Sequence, residues 1–297
     1  MMRRRVDGVL LLDKPQGISS NAALQATKRL YAATKAGHAG TLDPLASGLL
    51  PILLGEATKF SQLALDADKI YLARARLGIT TTTGDAEGVV LEARPCEVRA
   101  AEAEGVLARF RGEIDQVPPM YSALKHGGRP LYAIARQGGE VPRAARRVRI
   151  HALEMLSFAS PDLELRVACS KGTYVRTLVE DIGRALGCGA HLAALRRVAT
   201  TGFRIEEAVT LDQLQADSPA ERDRRLLPVD RLLAGLPRVE LSEPLAQRFV
   251  HGEALRVQQA PEGPCGVYGA DRRLLGLGEG RAPGLVRPRR LIGHASG

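Results

Sequence analysis

Asp43 is the residue of this sequence best suited to act as a nucleophile. It lies between Leu42 and Pro44, in a stretch over 37–48 that holds three glycines and a proline. Such a loop turns tightly and lets the backbone approach a ligand closely. Four neighbouring leucines are expected to shield the carboxylate from water: Leu42, Leu45, Leu49 and Leu50.

A carboxylate shielded in this way needs a cationic partner to stay ionised. With an arginine beside it, such a group could attack a sugar C1′, as the carboxylates of retaining glycosidases do. The alternative interpretation of Asp43 is structural, because Asp-Pro pairs often begin turns.

The sequence lacks the signatures of most other chemistries. It has no Walker loop, no HExxH or GxSxG motif, and no GxGxxG between a strand and a helix. The glycines of Gly276-x-Gly278-x-Gly280 have the wrong spacing for that motif, and we interpret them as turns. The six histidines are scattered and the four cysteines form no CxxC pair, so we expect no metal site. We also expect no cofactor, and thiols that stay reduced in the cytosol.

The charge balance favours a polyanionic partner. Lysine and arginine total 42 against 33 acidic residues, a net charge of +9. This favours RNA or DNA over a membrane, because phosphate contacts release counterions; a merely basic protein is the alternative. One segment, 125–150, has a single acid, Glu140, and is expected to be an excursion from the core. Its basic residues are Lys125, Arg129, Arg136, Arg143, Arg146, Arg147 and Arg149.

Hydrophobic patterns predict the elements that position these residues. A strand over Val9–Leu12 precedes a helix over Asn21–Ala33, and the alternation in Ile70–Leu77 places Tyr71 on an apolar strand face. Further helices are predicted over 57–65, 98–110, 131–136 and 173–186, and further strands over 147–157 and 163–169. No apolar run is long enough to cross a bilayer, and no secretory signal is recognisable. A length of 297 residues suggests about two domains, and we place the boundary near 236, before a small β-rich module.

The 37–48 loop, GHAGTLDPLASG, closely resembles the G-H-x-G-[TA]-L-D-P-x-A-[ST]-G motif of the TruB family, the bacterial tRNA pseudouridine-55 synthases. Further segments resemble blocks of that family in the same order: 8–17, 55–59, 120–125, 170–177 and 186–192. The resemblance implies an α/β (α+β) fold with a mixed, largely antiparallel central sheet flanked by helices, and a small β-rich PUA-like C-terminal module. The implied catalytic domain is 1–236, with a basic RNA-contacting insertion at about 112–150, and the implied module is 237–297.

The resemblance also implies an RNA pseudouridine synthase. It would isomerise a uridine to pseudouridine in the T-arm of tRNA, at position 55, by flipping the base. Asp43 would be the catalytic aspartate, and attack on C1′ of the ribose and attack on the uracil ring both stay open. Arg176 would pair with Asp43 and keep it ionised, and Tyr71 would stack on the uracil.

Other residues would surround the flipped nucleotide. The resemblance implies that Tyr174 hydrogen-bonds it, that Leu195 supplies an apolar wall, and that His38 fills the space the base leaves. The remaining expected contacts are a pocket carboxylate and basic side chains at the pocket edge or on the RNA backbone: Asp85, Lys14, Lys171, Arg143, Arg146 and Arg147.

The implied partner is the T-arm stem-loop of tRNA, with no membrane, metal or cofactor, and we expect a cytoplasmic monomer. One alternative is a non-catalytic RNA-binding or RNA-folding protein of the same fold, which would not need Asp43, Tyr71 and Arg176 together. Another is a carboxylate-nucleophile hydrolase acting on a nucleoside or glycan. It would need a second carboxylate, for which Asp85 is the nearby candidate.

Overall fold

The computed structural model of the chain describes residues 3–122, 124–281 and 283–293. The strands are β1 Gly8–Lys14, β2 Ala36–His38, β3 Ala46–Leu54, β4 Lys69–Leu77, β5 Ile79–Thr81, β6 Val90–Ala93, β7 Gly112–Gln116, β8 Lys125–His126, β9 Arg129–Pro130, β10 Arg146–Ala159, β11 Asp162–Cys169, β12 Ala190–Thr200, β13 Phe203–Arg204, β14 Val209–Thr210, β15 Arg238–Glu240, β16 Leu255–Arg256, β17 Gly263–Tyr268, β18 Leu274–Arg281 and β19 Leu285–Leu291. The α-helices are α1 Ser20–Leu30, α2 Ser61–Asp66, α3 Ala100–Ala108, α4 Leu131–Ala135, α5 Val175–Ala185, α6 Leu211–Ala216, α7 Pro219–Arg224 and α8 Glu243–Val250, and 3₁₀ turns span Gly55–Phe60, Ile205–Glu207 and Val229–Leu233.

A ten-stranded mixed sheet forms the centre of the molecule. Its strand order is β14-β1-β3-β12-β4-β11-β10-β7, with β2 paired to β3 and β13 paired to β12. The β1–β14 and β3–β12 pairs are parallel, whereas the other pairs of this sheet are antiparallel. The expected fold class, a mixed and largely antiparallel sheet with a β-rich C-terminal part, is confirmed.

The burial of the central strands follows from their sequences. Strands β1 and β3 are apolar almost throughout, and nearly every residue in them is buried because both faces of the sheet are covered there. Strand β4 alternates instead, with Tyr71, Ala73, Ala75 and Leu77 on the buried face, as its sequence predicts. Helix α5 buries Val175, Leu178, Val179 and Ile182, which holds its first turn against the sheet.

Three predicted elements differ from the structure. The predicted 57–65 helix is a 3₁₀ turn over Gly55–Phe60 followed by α2. The interpretation of Gly276-x-Gly278-x-Gly280 as turns is wrong, since these residues lie in β18 between β17 and β19. A Cβ on Gly278 would come within 3.2 Å of three side chains, so close packing in the sheet requires its glycine. The excursion expected over 125–150 ends earlier, because β10 begins at Arg146 and belongs to the central sheet. The insertion implied at about 112–150 is shorter for the same reason and because β7 is also a strand of that sheet.

The last described part of the chain forms a second, five-stranded sheet in the order β15-β17-β18-β19-β16. It has a core of its own, which includes Phe249, Val267 and Val286. Leu277 of β18 packs instead into a cluster with residues of the central sheet, and Lys59 Nζ donates to the Leu291 carbonyl at 2.9 Å. The two sheets are therefore joined by apolar and polar contacts. None of the described helices is long and apolar enough to cross a membrane.

Candidate active site

The loop between β2 and β3 holds Asp43 in a fixed backbone conformation. The buried Ser20 hydroxyl accepts from the Leu42 amide at 2.8 Å and donates to the Leu42 carbonyl at 2.9 Å. On the other side of Asp43, the Pro44 carbonyl accepts from the Gly17 amide at 2.8 Å. Because both neighbours of Asp43 are bonded to other parts of the chain, its side chain leaves the loop in a defined direction.

Arg176 brings a positive charge to the Asp43 carboxylate. It is the second residue of α5, and only 6% of its side chain is exposed. Its Nη2 donates to Asp43 Oδ2 and to the Tyr121 carbonyl, and its Nη1 donates to the Thr83 carbonyl at 3.0 Å. A buried guanidinium needs such partners, and together they fix its plane.

Asp85 supplies a second carboxylate to the same guanidinium. Its Oδ2 lies 3.3 Å from Arg176 Nε, and 5% of its side chain is exposed. The Thr83 hydroxyl donates to Asp85 Oδ1 at 2.5 Å, and the Glu87 amide donates to the same oxygen at 3.1 Å. Asp85 is thereby held beside Arg176, whose Nη2 contacts Asp43.

These groups line a cavity of about 640 Å³, which is large enough for a nucleotide. The cavity wall also includes His38, and Tyr132 and Arg136 reach it from the basic excursion. The expectation of a shielded carboxylate is wrong in part, because 48% of the Asp43 side chain is exposed. The four leucines around it are buried in the core and do not cover the carboxylate: Leu42, Leu45, Leu49 and Leu50.

Tyr71, Tyr174 and Leu195 are not among the residues that line this cavity. Tyr71 is buried on β4, and Leu195 lies on the neighbouring β12, opposite Ala73. Burial raises the pKa of both phenols, and the Asp43 charge raises it further. Both hydroxyl groups are therefore protonated at neutral pH and can donate hydrogen bonds.

The surroundings of His38 favour the neutral form of its imidazole. Burial lowers its pKa, and the positive charge of Arg197 lowers it further. Its Nδ1 is buried without a hydrogen-bond partner among the described residues. A neutral aromatic ring at the cavity wall is suited to stacking against a base.

The predicted basic contacts are not gathered at the cavity. Lys14 departs most from expectation, because its side chain is fully buried and its Nζ donates to the Pro15 and Ile18 carbonyls at 2.8 and 2.7 Å. In this position it holds the chain between β1 and α1 and presents no charge to a phosphate. Lys171 is exposed and pairs with Asp66 at 2.9 Å.

The three predicted arginines lie on or beside the excursion. Arg143 bonds to Glu140 at 3.0 Å, and Arg147 lies 3.4 Å from Asp115 with most of its side chain exposed. Arg146 is exposed at the start of β10, and its charge counteracts the burial that raises the pKa of Tyr174. The charge of Arg146 therefore acts on Tyr174.

Sequence reasoning missed several residues of the site. Ser20 fixes the loop that holds Asp43, and its neighbour Ser19 is the N-cap of α1. Tyr132 and Arg136 could have been singled out as an aromatic and a cation four residues apart on a short helix, and the Arg136 guanidinium lies 5.6 Å from the Tyr132 ring centre. No local signal marks another missed residue, Arg197, whose partners are distant in sequence. Within the described residues, no group of three or more histidine, cysteine or acidic side chains could hold a metal ion.

Comparison with known proteins places the chain in a family. The model of the TruB family pseudouridylate synthase N-terminal domain matches residues 28–175, and two TruB C-terminal models match 176–234 and 237–292. A protein of Burkholderia mallei (strain NCTC 10247), named tRNA pseudouridine synthase B, is 58% identical over 98% of this chain and 99% of its own length. The chain belongs to the TruB family.

Other similarities agree with membership of the TruB family. A protein of Azoarcus sp. (strain BH72) with the same name is 55% identical over 99% of this chain and 98% of its own length. A solved structure described as "Structure of H/ACA RNP bound to a substrate RNA containing 2'-deoxyuridine" matches with a TM-score of 0.75 and 25% identity. The match covers 97% of this TruB-family chain and 85% of the other.

Proposed function

We propose that this TruB-family enzyme isomerises a uridine in the T-arm of tRNA, at position 55, with Asp43 as the catalytic nucleophile. The coarser activity, conversion of uridine to pseudouridine in tRNA, follows from relatives named tRNA pseudouridine synthase B at 58% identity over nearly the whole chain. One observation carries the assignment of Asp43. Its carboxylate bonds to the buried Arg176 at the wall of a nucleotide-sized cavity.

The reaction requires a nucleophile, a confined space and binding energy. The N1–C1′ bond breaks, the freed uracil turns, and a C5–C1′ bond forms. C5 loses its proton to solvent, N1 takes up a proton, and the bond to Asp43 is broken again before the product leaves. Because Oδ2 of Asp43 accepts a hydrogen bond from Arg176, we assign the attack to Oδ1, directed either at C1′ or at the uracil ring. We assign to Asp85 the task of orienting the guanidinium, which it contacts at 3.3 Å.

The nucleotide must leave its stack before it can react, which costs a few kcal/mol. In our proposal Tyr71 stacks on the uracil, Tyr174 donates a hydrogen bond and Leu195 supplies an apolar contact. The neutral ring of His38 takes the place that the base leaves in the RNA. The lowered pKa of His38 supports this role, because an uncharged ring stacks among bases without the cost of desolvating a cation.

Phosphate contacts would offset the cost of flipping. We propose that the excursion contributes them through Arg143, Arg146 and Arg147, and that the 237–297 segment is a PUA-like RNA-binding module attached to a catalytic domain over 1–236. Such contacts hold the RNA without reading its sequence, so selection of the T-arm would rest on RNA shape and on the pocket. We further propose that the enzyme acts as a cytoplasmic monomer.

The test uses T-arm RNA labelled with tritium at uracil C5. We expect the protein to release the label and Asp43→Asn to release none. A matched control is Asp162→Asn, which also removes a carboxylate bonded to an arginine, Arg76 at 2.8 Å, on an exposed part of the sheet. Free uracil in solution would indicate a hydrolase, and binding without label release would indicate an RNA-binding protein. Modification of bulk tRNA only outside the T-arm would contradict the proposed target.

A further inference from the structure

Arg197 is a fully buried cation in the middle of the central sheet. None of its side chain is exposed, and no acidic group among residues 3–122, 124–281 and 283–293 lies within ion-pair distance. Its Nε donates to the Leu49 carbonyl at 2.7 Å and its Nη2 donates to the Gly40 carbonyl at 3.0 Å. Burying a guanidinium without an acidic partner costs free energy that burying an apolar side chain does not, so packing alone does not explain Arg197.

The two carbonyls lie on either side of Asp43. Gly40 precedes the carboxylate in the loop and Leu49 follows it in β3, so one side chain bonds to both ends of the segment. The backbone is shaped for this contact, because φ is +84° at Gly40 and a Cβ there would lie 3.1 Å from Arg197 Nη1. At Gly48, with φ +101°, a Cβ would lie 2.3 Å from the Arg197 carbonyl oxygen.

Arg197 also lies beside the strand that carries Tyr71. In the sheet, Arg197 of β12 is opposite Tyr71 of β4 on one side and opposite Gly48 of β3 on the other. Leu195 is two residues earlier on the same strand. The Arg197 charge opposes the rise that burial gives to the pKa of Tyr71. The loop, the phenol and the apolar wall of the proposed site thus meet at one strand.

We propose that Arg197 is a positioning residue for the isomerisation, in which its guanidinium holds the Asp43 loop in register with the strand that carries Tyr71. This inference rests on the proposed role of Asp43. Arginine suits the task because its planar fork reaches two carbonyls at fixed angles, whereas a lysine ammonium is a single point of charge. A loop freed at both ends would let Asp43 move away from the reacting atom.

The experiment compares Arg197→Met and Arg197→Lys with the unchanged protein. The single-turnover rate of tritium release, the Kd for tRNA and the melting temperature are measured for each. We expect Arg197→Met to lower the rate on the order of 10²-fold, the effect of about 1 Å of misplacement, while the Kd stays unchanged. Arg197→Lys keeps the positive charge but lacks the planar guanidinium that bonds to two carbonyls. This variant should fold like the unchanged protein, and its single-turnover rate should still fall. Arg196→Met is the control, because Arg196 is partly exposed and pairs with Asp13 at 2.7 Å.

Two outcomes would overturn the inference. One is an unchanged rate in a folded Arg197 variant. The other is a lower rate in Arg197→Lys that weaker tRNA binding or partial unfolding of the variant explains in full. In that case Arg197 would have only a structural role. Asp43→Asn is assayed alongside. If that variant keeps its activity, the proposed catalytic group fails; if it is inactive while the Arg197 variants are active, only the present inference fails.

Discussion

Replacing Ser20 by alanine tests whether the anchoring of Leu42 matters for catalysis. The Ser20 hydroxyl makes two buried hydrogen bonds to the Leu42 backbone, one as acceptor and one as donor. Alanine removes both and leaves a buried N–H and a buried C=O without a partner. Asp43 is the next residue, so a shift of Leu42 moves the carboxylate away from Arg176.

The expected magnitude follows from these two groups. Each unsatisfied buried group costs about 1–3 kcal/mol, and with partial relaxation we expect Ser20→Ala to lose about 2–4 kcal/mol of the free energy of unfolding. For a chain of this size that lowers Tm by the order of 5–10 °C. A displacement of Asp43 by about 1 Å would lower the rate on the order of 10²-fold.

The assay is single-turnover tritium release at a temperature well below the lowered Tm, together with urea unfolding. Thr27→Val is a matched control on the same helix. It removes a buried hydroxyl that donates to the Ala23 carbonyl at 3.0 Å, which should cost about 1 kcal/mol without a change in rate. If Ser20→Ala is destabilised as expected but as active as Thr27→Val, Ser20 does not position the loop. An unchanged Tm would show that the two bonds contribute nothing.

Three further predictions concern other parts of the molecule. Burial lowers the pKa of Lys14 from 10.5 to about 8 in the folded protein. At a pH between these two values the unfolded chain binds more protons at Lys14 than the folded chain does, so the free energy of unfolding should rise with pH over this range. Lys14→Met should remove this contribution, which urea unfolding at several pH values measures; an identical rise in the variant would contradict it. Changing Arg143, Arg146 and Arg147 to glutamate should weaken tRNA binding. The slope of the logarithm of the binding constant against the logarithm of the salt concentration should become shallower by up to about 0.9 for each lost phosphate contact. An unchanged slope in filter binding would exclude a role for the excursion. A chain ending at residue 236 should expose the apolar cluster against which Leu277 packs, so its Tm should fall and its light scattering should rise. An unchanged Tm would mean that the two sheets are energetically independent.

Local pattern was sufficient to predict much of the fold. The alternation in β4 places Tyr71 on the buried face, and the helical spacing around Arg176 predicts α5, because both patterns depend on residues close in sequence. The glycine loop with Asp43 was recognisable for the same reason. The glycines of β18 were misinterpreted because the side chains that crowd Gly278 come from other strands.

Contacts between distant segments account for what could not be predicted. Arg176 and Asp43 are 133 residues apart, and only the family resemblance suggested that they pair. Arg197 reaches its carbonyl partners across 148 and 157 residues, and nothing in its neighbours distinguishes it from the partly exposed Arg196. Lys14 was misplaced because the burial of its ammonium depends on how the following turn presents the carbonyls of Pro15 and Ile18.

The place of β12 in the central sheet has a consequence for synthesis of the chain. Strands β3 and β4 are consecutive members of this sheet in the sequence, yet they do not pair, because β12 lies between them. In the growing polypeptide, the edges of β3 and β4 that will pair with β12 therefore stay unpaired until about residue 200 has left the ribosome. During that interval the nascent chain exposes apolar surface and unpaired strand edges. We therefore expect fragments that end before β12 to aggregate most and to depend most on chaperones.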